Sequence, residues 1–204
     1  MLTVGVDAVV VERRLVAGEL ACPGCAGVLT GWGHARERVI RGESGRLRVR
    51  PRRAMCGGCG ATHVLLPLGV LLRRADAVGV VAAAIAAKAA GVGARPIAGL
   101  LGRPLGTVRE WLRRFGGRVE AVRGWFTTLL CAVVPDPVLP GPAGSVWADA
   151  VAVMRAAAAA VTARFAVIGV TVWQVVGAAC GGRLLAPGWP TGLINTSSPW
   201  SVPV

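Results

Sequence analysis

The chain has 204 residues, 23 Lys or Arg against 10 Asp or Glu, a net charge of +13, and 54% hydrophobic residues without a single Tyr. That length suits one or two small domains and excludes a large enzyme. The hydrophobic content excludes a disordered chain, so the positive charge must sit on folded surface.

In chain order, Met1 to Val11 carries Asp7 within its apolar stretch and runs straight into Glu12, Arg13 and Arg14, which is not the pattern of an export signal. A cytoplasmic location is expected, and its reducing conditions turn attention from disulfides to metal or redox chemistry for the six cysteines. Cys22-Pro23-Gly24-Cys25 and Cys56-Gly57-Gly58-Cys59 are Cys-x-x-Cys turns separated by 30 residues. Each offers two thiolates on one tight loop, and two such loops satisfy a tetrahedral zinc with no coordination position left for catalysis. Structural Zn2+ on Cys22, Cys25, Cys56 and Cys59 is the expected cofactor. A redox dithiol is the weaker reading, because neither turn opens a helical pattern. His34 and His63 lie near the turns, where polar packing or phosphate contact is the default once four thiolates are available. Cys131 and Cys180 sit in apolar stretches and read as small hydrophobes.

Between the turns, Arg46, Arg48, Arg50 and Arg52 alternate with Leu47, Val49 and Pro51. On one continuous strand these guanidiniums share a face at intervals of about 7 Å. Like charges so placed repel unless an anion meets them, and DNA phosphate is the anion expected; the alternative is a solvated face over a purely structural metal. Further strands are expected over 27–33 and 36–41, with turns near Gly33-His34 and at 42–45, so that residues 1–70 form a zinc ribbon.

From Asp76 the apolar period lengthens to about 3.6 residues. Asp76 is a candidate cap for a helix burying Val78, Val81, Ile85 and Ala89 and ending at Gly91. Arg95 to Gly102 follows with Pro96 in the first turn, a stripe of Ile97, Leu100 and Leu101, and Gly102 as the stop. A turn through Arg103 to Gly106 leads to a third helix in which Thr107 and Glu110 fit a capping box. That helix should bury Val108, Trp111, Leu112 and Phe115 and expose Arg109, Arg113 and Arg114. The pattern is that of a helix-turn-helix: Arg109 is the candidate for base readout, Thr107 lies beside it, and Arg103, Arg113 and Arg114 suit phosphates. An ordinary three-helix unit with a basic surface is the alternative.

Cys-Pro-x-Cys, the arginine-rich strand, Cys56 to Pro67 and Leu101 to Phe115 together resemble an uncharacterised actinobacterial family of zinc-ribbon plus helix-turn-helix proteins associated with mobile elements. The N-terminal regions of some insertion-sequence transposases are similar. The resemblance covers roughly residues 20–125, and it implies double-stranded DNA as partner, near transposon ends or in a regulatory role, with a transposase or recombinase as a second partner.

Farther on, Val119, Val122, Phe126, Leu129 and Val133 approximate a heptad seam, which offers a homodimer surface over 118–133 or simply packs on the core. Residues 76–134 then form one domain, and 135–144, with four prolines and two glycines, a linker. Ser145 can cap an alanine-rich helix from Val146 to Arg164. The uncharged stretch from Phe165 to Gly182 approaches the ~20 residues of a membrane span, but its glycines and Gln174 favour a buried helical hairpin over 145–186. Residues 187–204 read as an extended tail whose Trp189 and Trp200 dock onto the body or a partner.

The expected fold class is therefore α+β, mostly α. Only Asp136 and Asp149 are acidic after residue 125, too few for a transposase carboxylate triad, and no nucleophile triad, Walker loop or dinucleotide fingerprint is present. The expected function is a zinc-stabilised DNA-binding protein without catalytic activity. A truncated or degenerate transposase fragment and a small membrane-associated basic protein are the competing readings, the last disfavoured.

Overall fold

A computed structural model describes residues 1–190 of the chain, so Trp200 lies outside the described residues. The fold is α+β, with a small β-rich region near the N-terminus and seven helices among the described residues. The chain divides into two compact units, one formed by residues 1–77 with 177–183, the other by 78–176 with 184–190.

In the first unit β1 (Leu2–Val4) leads to α1 (Ala8–Val16), followed by β2 (Leu29–His34), β3 (Arg38–Arg41), β4 (Arg46–Val49), β5 (Arg52–Cys56) and β6 (Thr62–Pro67). The sheet order is β1-β6-β5-β2, parallel only between β1 and β6, while β3 and β4 form a separate hairpin. Asp7 starts α1 by accepting from the Val9 and Val10 N–H groups, and Val11 and Leu15, four apart, turn into the core with Leu2, Val4, Leu20, Leu29 and Leu65. The other sheet face buries Leu66 with Ile40, Val49 and Val70. Residues 177–183 return to this unit, where the Leu72 N–H donates to the Gly182 carbonyl at 2.8 Å. Gly182 is at φ +72°, and a Cβ there would meet the Val70 carbonyl oxygen at 3.0 Å, so both its conformation and its surroundings call for glycine.

The single arginine-bearing strand of the sequence reading is not formed. Pro51 cannot donate to a ladder, and the run breaks there into β4, in the hairpin, and β5, in the four-stranded sheet. Asp76 does not begin its helix directly: it lies two residues before α2 (Val78–Ala89), buried, and accepts from Arg41 at 2.6 Å.

In the second unit α2, α3 (Ala94–Leu101) and α4 (Leu105–Gly116) pack pairwise. Gly102 closes α3 in the left-handed region at φ +59°, donating to the Ala98 and Gly99 carbonyls. Two expectations fail here. Leu100 is 79% exposed, because a helix of only eight residues presents Ile97 and Ala98 to the core and turns Leu100 away. The cap of α4 is Pro104, so Thr107 already stands inside the helix, and Glu110 pairs with Arg113 and Arg114 instead of closing a capping box. The buried face is Val108, Trp111, Leu112 and Phe115, as the periodicity requires.

The apolar residues of the 118–133 seam pack within the chain. In α5 (Val119–Val133) Val119, Val122, Phe126, Leu129 and Val133 are buried inside this unit, where α6 (Val146–Arg164) is the principal helix packed against α5. The 135–144 stretch joins these two helices within one unit. Ser145 caps α6 by accepting from the Ala148 N–H. Gly116 allows Trp147 to lie over the C-terminal end of α4, where its ring packs against Phe115 tilted by 41°, with centroids 5.1 Å apart. Trp189 docks against Trp125 and Phe126, and Arg118 donates to the Ala186 and Trp189 carbonyls.

Of the 165–182 stretch only Val172–Ala179 is helical, as α7, which is too short to cross a bilayer. Among the described residues the helix long and apolar enough to do so is α6, at 19 residues and mean hydropathy 1.4, and seven of its positions are buried in the fold.

Candidate metal centre

The two Cys-x-x-Cys turns are built alike. The Cys22 N–H donates to the Gly27 carbonyl at 2.8 Å, and the Cys56 N–H to the Ala61 carbonyl at 2.9 Å. Within each turn the chain bends back through a residue at positive φ, Ala26 at 57° in the first and Gly60 at 70° in the second, whose N–H donates to the carbonyl of the leading cysteine. Backbone N–H groups also point at sulfur: Gly24 at Cys22, Gly58 and Cys59 at Cys56, at 3.3 to 3.5 Å. These are the donors that favour a thiolate over a thiol.

The β2–β5 pairing, with Leu29 opposite Cys56, brings the turns together. The Sγ atoms of Cys22, Cys25, Cys56 and Cys59 all lie within 4.8 Å of one another, with Cys22 3.8 Å from Cys59 and Cys25 3.4 Å from Cys56. Four thiolates about 2.3 Å from a tetrahedral ion stand about 3.8 Å apart, so this group fits a metal ion directly. Cys22 and Cys56 are buried; Cys25 and Cys59 are exposed. A Cβ on Gly27 would stand 3.0 Å from the Cys56 sulfur, which leaves little room there for anything larger.

The thiols are not equivalent. The Cys59 N–H, helped by the Cys25 thiol and the Gly58 N–H, lowers Cys56 to about 6. The Gly27 N–H favours the Cys25 thiolate as well, but the thiols of Cys56, Cys59 and Cys22 outweigh it and push Cys25 up to about 12. Four such groups cannot all ionise beside one another unless a cation replaces their protons.

His63, on β6, is buried with Nε2 3.5 Å from the Cys22 sulfur. Burial lowers its pKa below the ordinary histidine value, so it stays neutral and can offer an N–H to the sulfur. His34 is elsewhere, exposed at the far end of β2 opposite Arg52. Cys131 is exposed, unlike the small hydrophobe expected, because it falls on the outer side of α5; Cys180 is buried.

The basic residues are scattered over distinct surroundings. Arg46 and Arg48 are exposed on β4, and Arg48 pairs with Glu37 at 3.2 Å. Arg50 is exposed beyond β4. Arg52 is committed elsewhere: it makes a two-pronged contact with Glu12 of α1, at 2.7 and 3.0 Å, and donates to the Gly33 carbonyl. That pair holds Glu12 below the usual carboxylate range, chiefly through the Arg52 hydrogen bond. The sequence reading missed α1 and with it this partner; the signal was Asp7 followed by the Val11 and Leu15 pair. On α4 Arg109 is exposed, Arg113 and Arg114 share Glu110, and Arg103 donates to the Leu101 and Gly102 carbonyls.

No protein-family model, curated protein or solved structure matches this chain.

Proposed function

We propose that this chain is a zinc-stabilised DNA-binding protein that holds duplex DNA without catalysis, in the mobile-element setting that its sequence resemblance implies. One observation carries the reading. Carboxylates engage Arg14, Arg41, Arg48, Arg52, Arg113, Arg114 and Arg123, yet among the described residues none pairs with Arg36, Arg46, Arg50, Arg53 or Arg109. Unpaired guanidiniums on a folded surface are what a polyanion neutralises.

Zinc is the ion assigned to the four-thiolate group because closed sulfur tetrahedra suit it and need no redox partner. Cys22, Cys25, Cys56 and Cys59 hold it, with His63 beside Cys22, and its contribution is structural. The ribbon's phosphate contacts fall to Arg36, Arg46, Arg50 and Arg53 in place of Arg48 and Arg52, whose charge is already met. The helices α2, α3 and α4, with the tight turn from Gly102 to Pro104, serve as the helix-turn-helix. Arg109, on the first half of α4 and on the side away from Val108 and Trp111, is then the base-reading residue, with Arg113 beside it on phosphate.

Salt titration of duplex binding tests this. The R46A/R50A double variant should weaken binding to all sequences alike and reduce the log–log salt slope by about two units. R109A should instead change the order of preferred sequences. Duplex affinity indifferent to salt, or absent from protein carrying one zinc per chain, would sink the proposal.

A further inference from the structure

Residues 1–77 contain one aromatic side chain, Trp32, and the fold leaves it outside the core, 52% exposed. A tryptophan placed in water forgoes the largest apolar burial available to a small domain, so its position calls for an explanation. Strand geometry says what surrounds it. Leu29 faces the core and pairs with Cys56; Gly31 lies on that same side, against Arg52 and Leu15. Alternation therefore sends Thr30 and Trp32 to the opposite face, away from α1, before the register shifts between Gly31 and His34.

On that face the neighbours are consistent. Thr30 is opposite Met55, so Trp32 falls beside Arg53, which pairs in turn with Val64 of β6. Cross-strand neighbours stand about 5 Å apart at Cβ. Arg53 is half-buried and has no carboxylate partner among the described residues. The ladder continues past His34 with the Ala35 N–H donating to the Pro51 carbonyl, which sets the exposed Arg36 and Arg50 together at its end. The strands β2, β5 and β6 carry no Asp or Glu. Trp32 is also flanked by glycines, and nothing lies within 4 Å of where a Gly33 Cβ would be, so its ring can be approached from the side.

An open indole on a sheet face, with a guanidinium beside it and two more at the strand end, is equipped to stack a flat ring that is followed by phosphates. Bases inside a duplex present only their edges; an unpaired base presents its face. We propose that the β2–β5 face binds single-stranded nucleic acid, with Trp32 stacking on an unpaired base and Arg53, Arg36 and Arg50 meeting the adjoining phosphates. The proposal rests on the DNA-binding reading above and extends it: the arginines that meet duplex phosphate also meet an unpaired strand where it leaves the duplex at an end, gap or opened segment.

The test uses the full-length zinc-loaded chain, a blunt duplex, the same duplex with a short 3′ overhang, and an oligothymidine, with binding followed by anisotropy. The parent should prefer the overhang to the blunt duplex. W32A should lose on the order of tenfold in affinity for the overhang and the oligothymidine, W32F should keep most of it, and blunt-duplex affinity should stay within about twofold. Zinc content and circular dichroism matching the parent establish that W32A is folded. If folded W32A binds the overhang and oligothymidine like the parent, the stacking site is wrong while duplex binding stands. If the parent binds no nucleic acid of any form, both this inference and the proposed function fall.

Discussion

The two units hold themselves together by different means. The helical unit buries Trp111, Phe115, Phe126 and Trp189 along an apolar interior that runs through α4, α5 and α6. Among its described residues the β-rich unit buries no Phe, Trp or Tyr; its clusters are aliphatic, and one of them includes the sulfurs of Cys22 and Cys56. Small cores rarely support a fold alone, and a metal held by the four cysteines would supply what apolar burial does not. With the metal in place, a unit that draws stability from four tied points of the chain can leave Trp32 on its surface.

Removing the metal should break that comparison most sharply. Structural zinc binding is worth about 10–16 kcal/mol at neutral pH, more than the net stability of most domains. Chelation, or C56S, is expected to abolish hydrogen-exchange protection in β2, β5 and β6 while leaving α5 and α6 protected. Exchange followed peptide by peptide in the full chain measures both at once. Protection in β5 that survives chelation would show that the aliphatic clusters suffice by themselves.

The reverse experiment acts on the helices. Phe126 is fully buried, in edge-to-face contact with Trp125 at 4.9 Å and with Trp189 at 6.3 Å between ring centroids. F126A should cost about 3–5 kcal/mol, lower the thermal midpoint reported by near-ultraviolet dichroism, and leave zinc stoichiometry at one per chain. Loss of zinc in F126A would mean that the metal site depends on the helical core.

The contrast also explains what the sequence made legible. The four metal-site cysteines could be read directly, because a Cys-x-x-Cys turn needs only local backbone geometry, and the buried face of α4 followed from spacing alone. The arginine strand was misread because alternation cannot say where a ladder ends; Pro51 could have, since it interrupts β hydrogen bonding. The fates of Arg48 and Arg52 were hidden for another reason: their partners, Glu37 and Glu12, are 11 and 40 residues away, and only the fold brings them close. The 118–133 seam likewise shows period without partner, and α6 turned out to occupy it. The sequence alone did not single out Trp32; what leaves it open is the alternation of β2 and the glycines beside it.

Acid should sharpen the comparison with the smallest effect of the three. In the β-rich unit protons would compete with the proposed zinc for four thiolates, so stability should fall as soon as acid begins to displace it. Among its described residues the helical unit has no such site. Its perturbed acid is Glu110, held below the usual carboxylate range first by its hydrogen bond to Arg113 and then by that to Arg114. A carboxylate depressed in the folded state contributes stability that is fully present above its unfolded pKa, and that contribution disappears as pH falls through the lower folded value. Glu110 is solvent-facing and its pair is screened, so the expected change is slight. Between neutral pH and about pH 4 the β-rich strands should therefore lose exchange protection well before α4 does. Below that range the parent should show a small further drop in the helical midpoint that E110Q lacks, since the amide cannot titrate. An equal drop in E110Q would assign the acid sensitivity of the helices to some other group, and simultaneous loss of both units at mild acidity would show that the helices too lean on the metal.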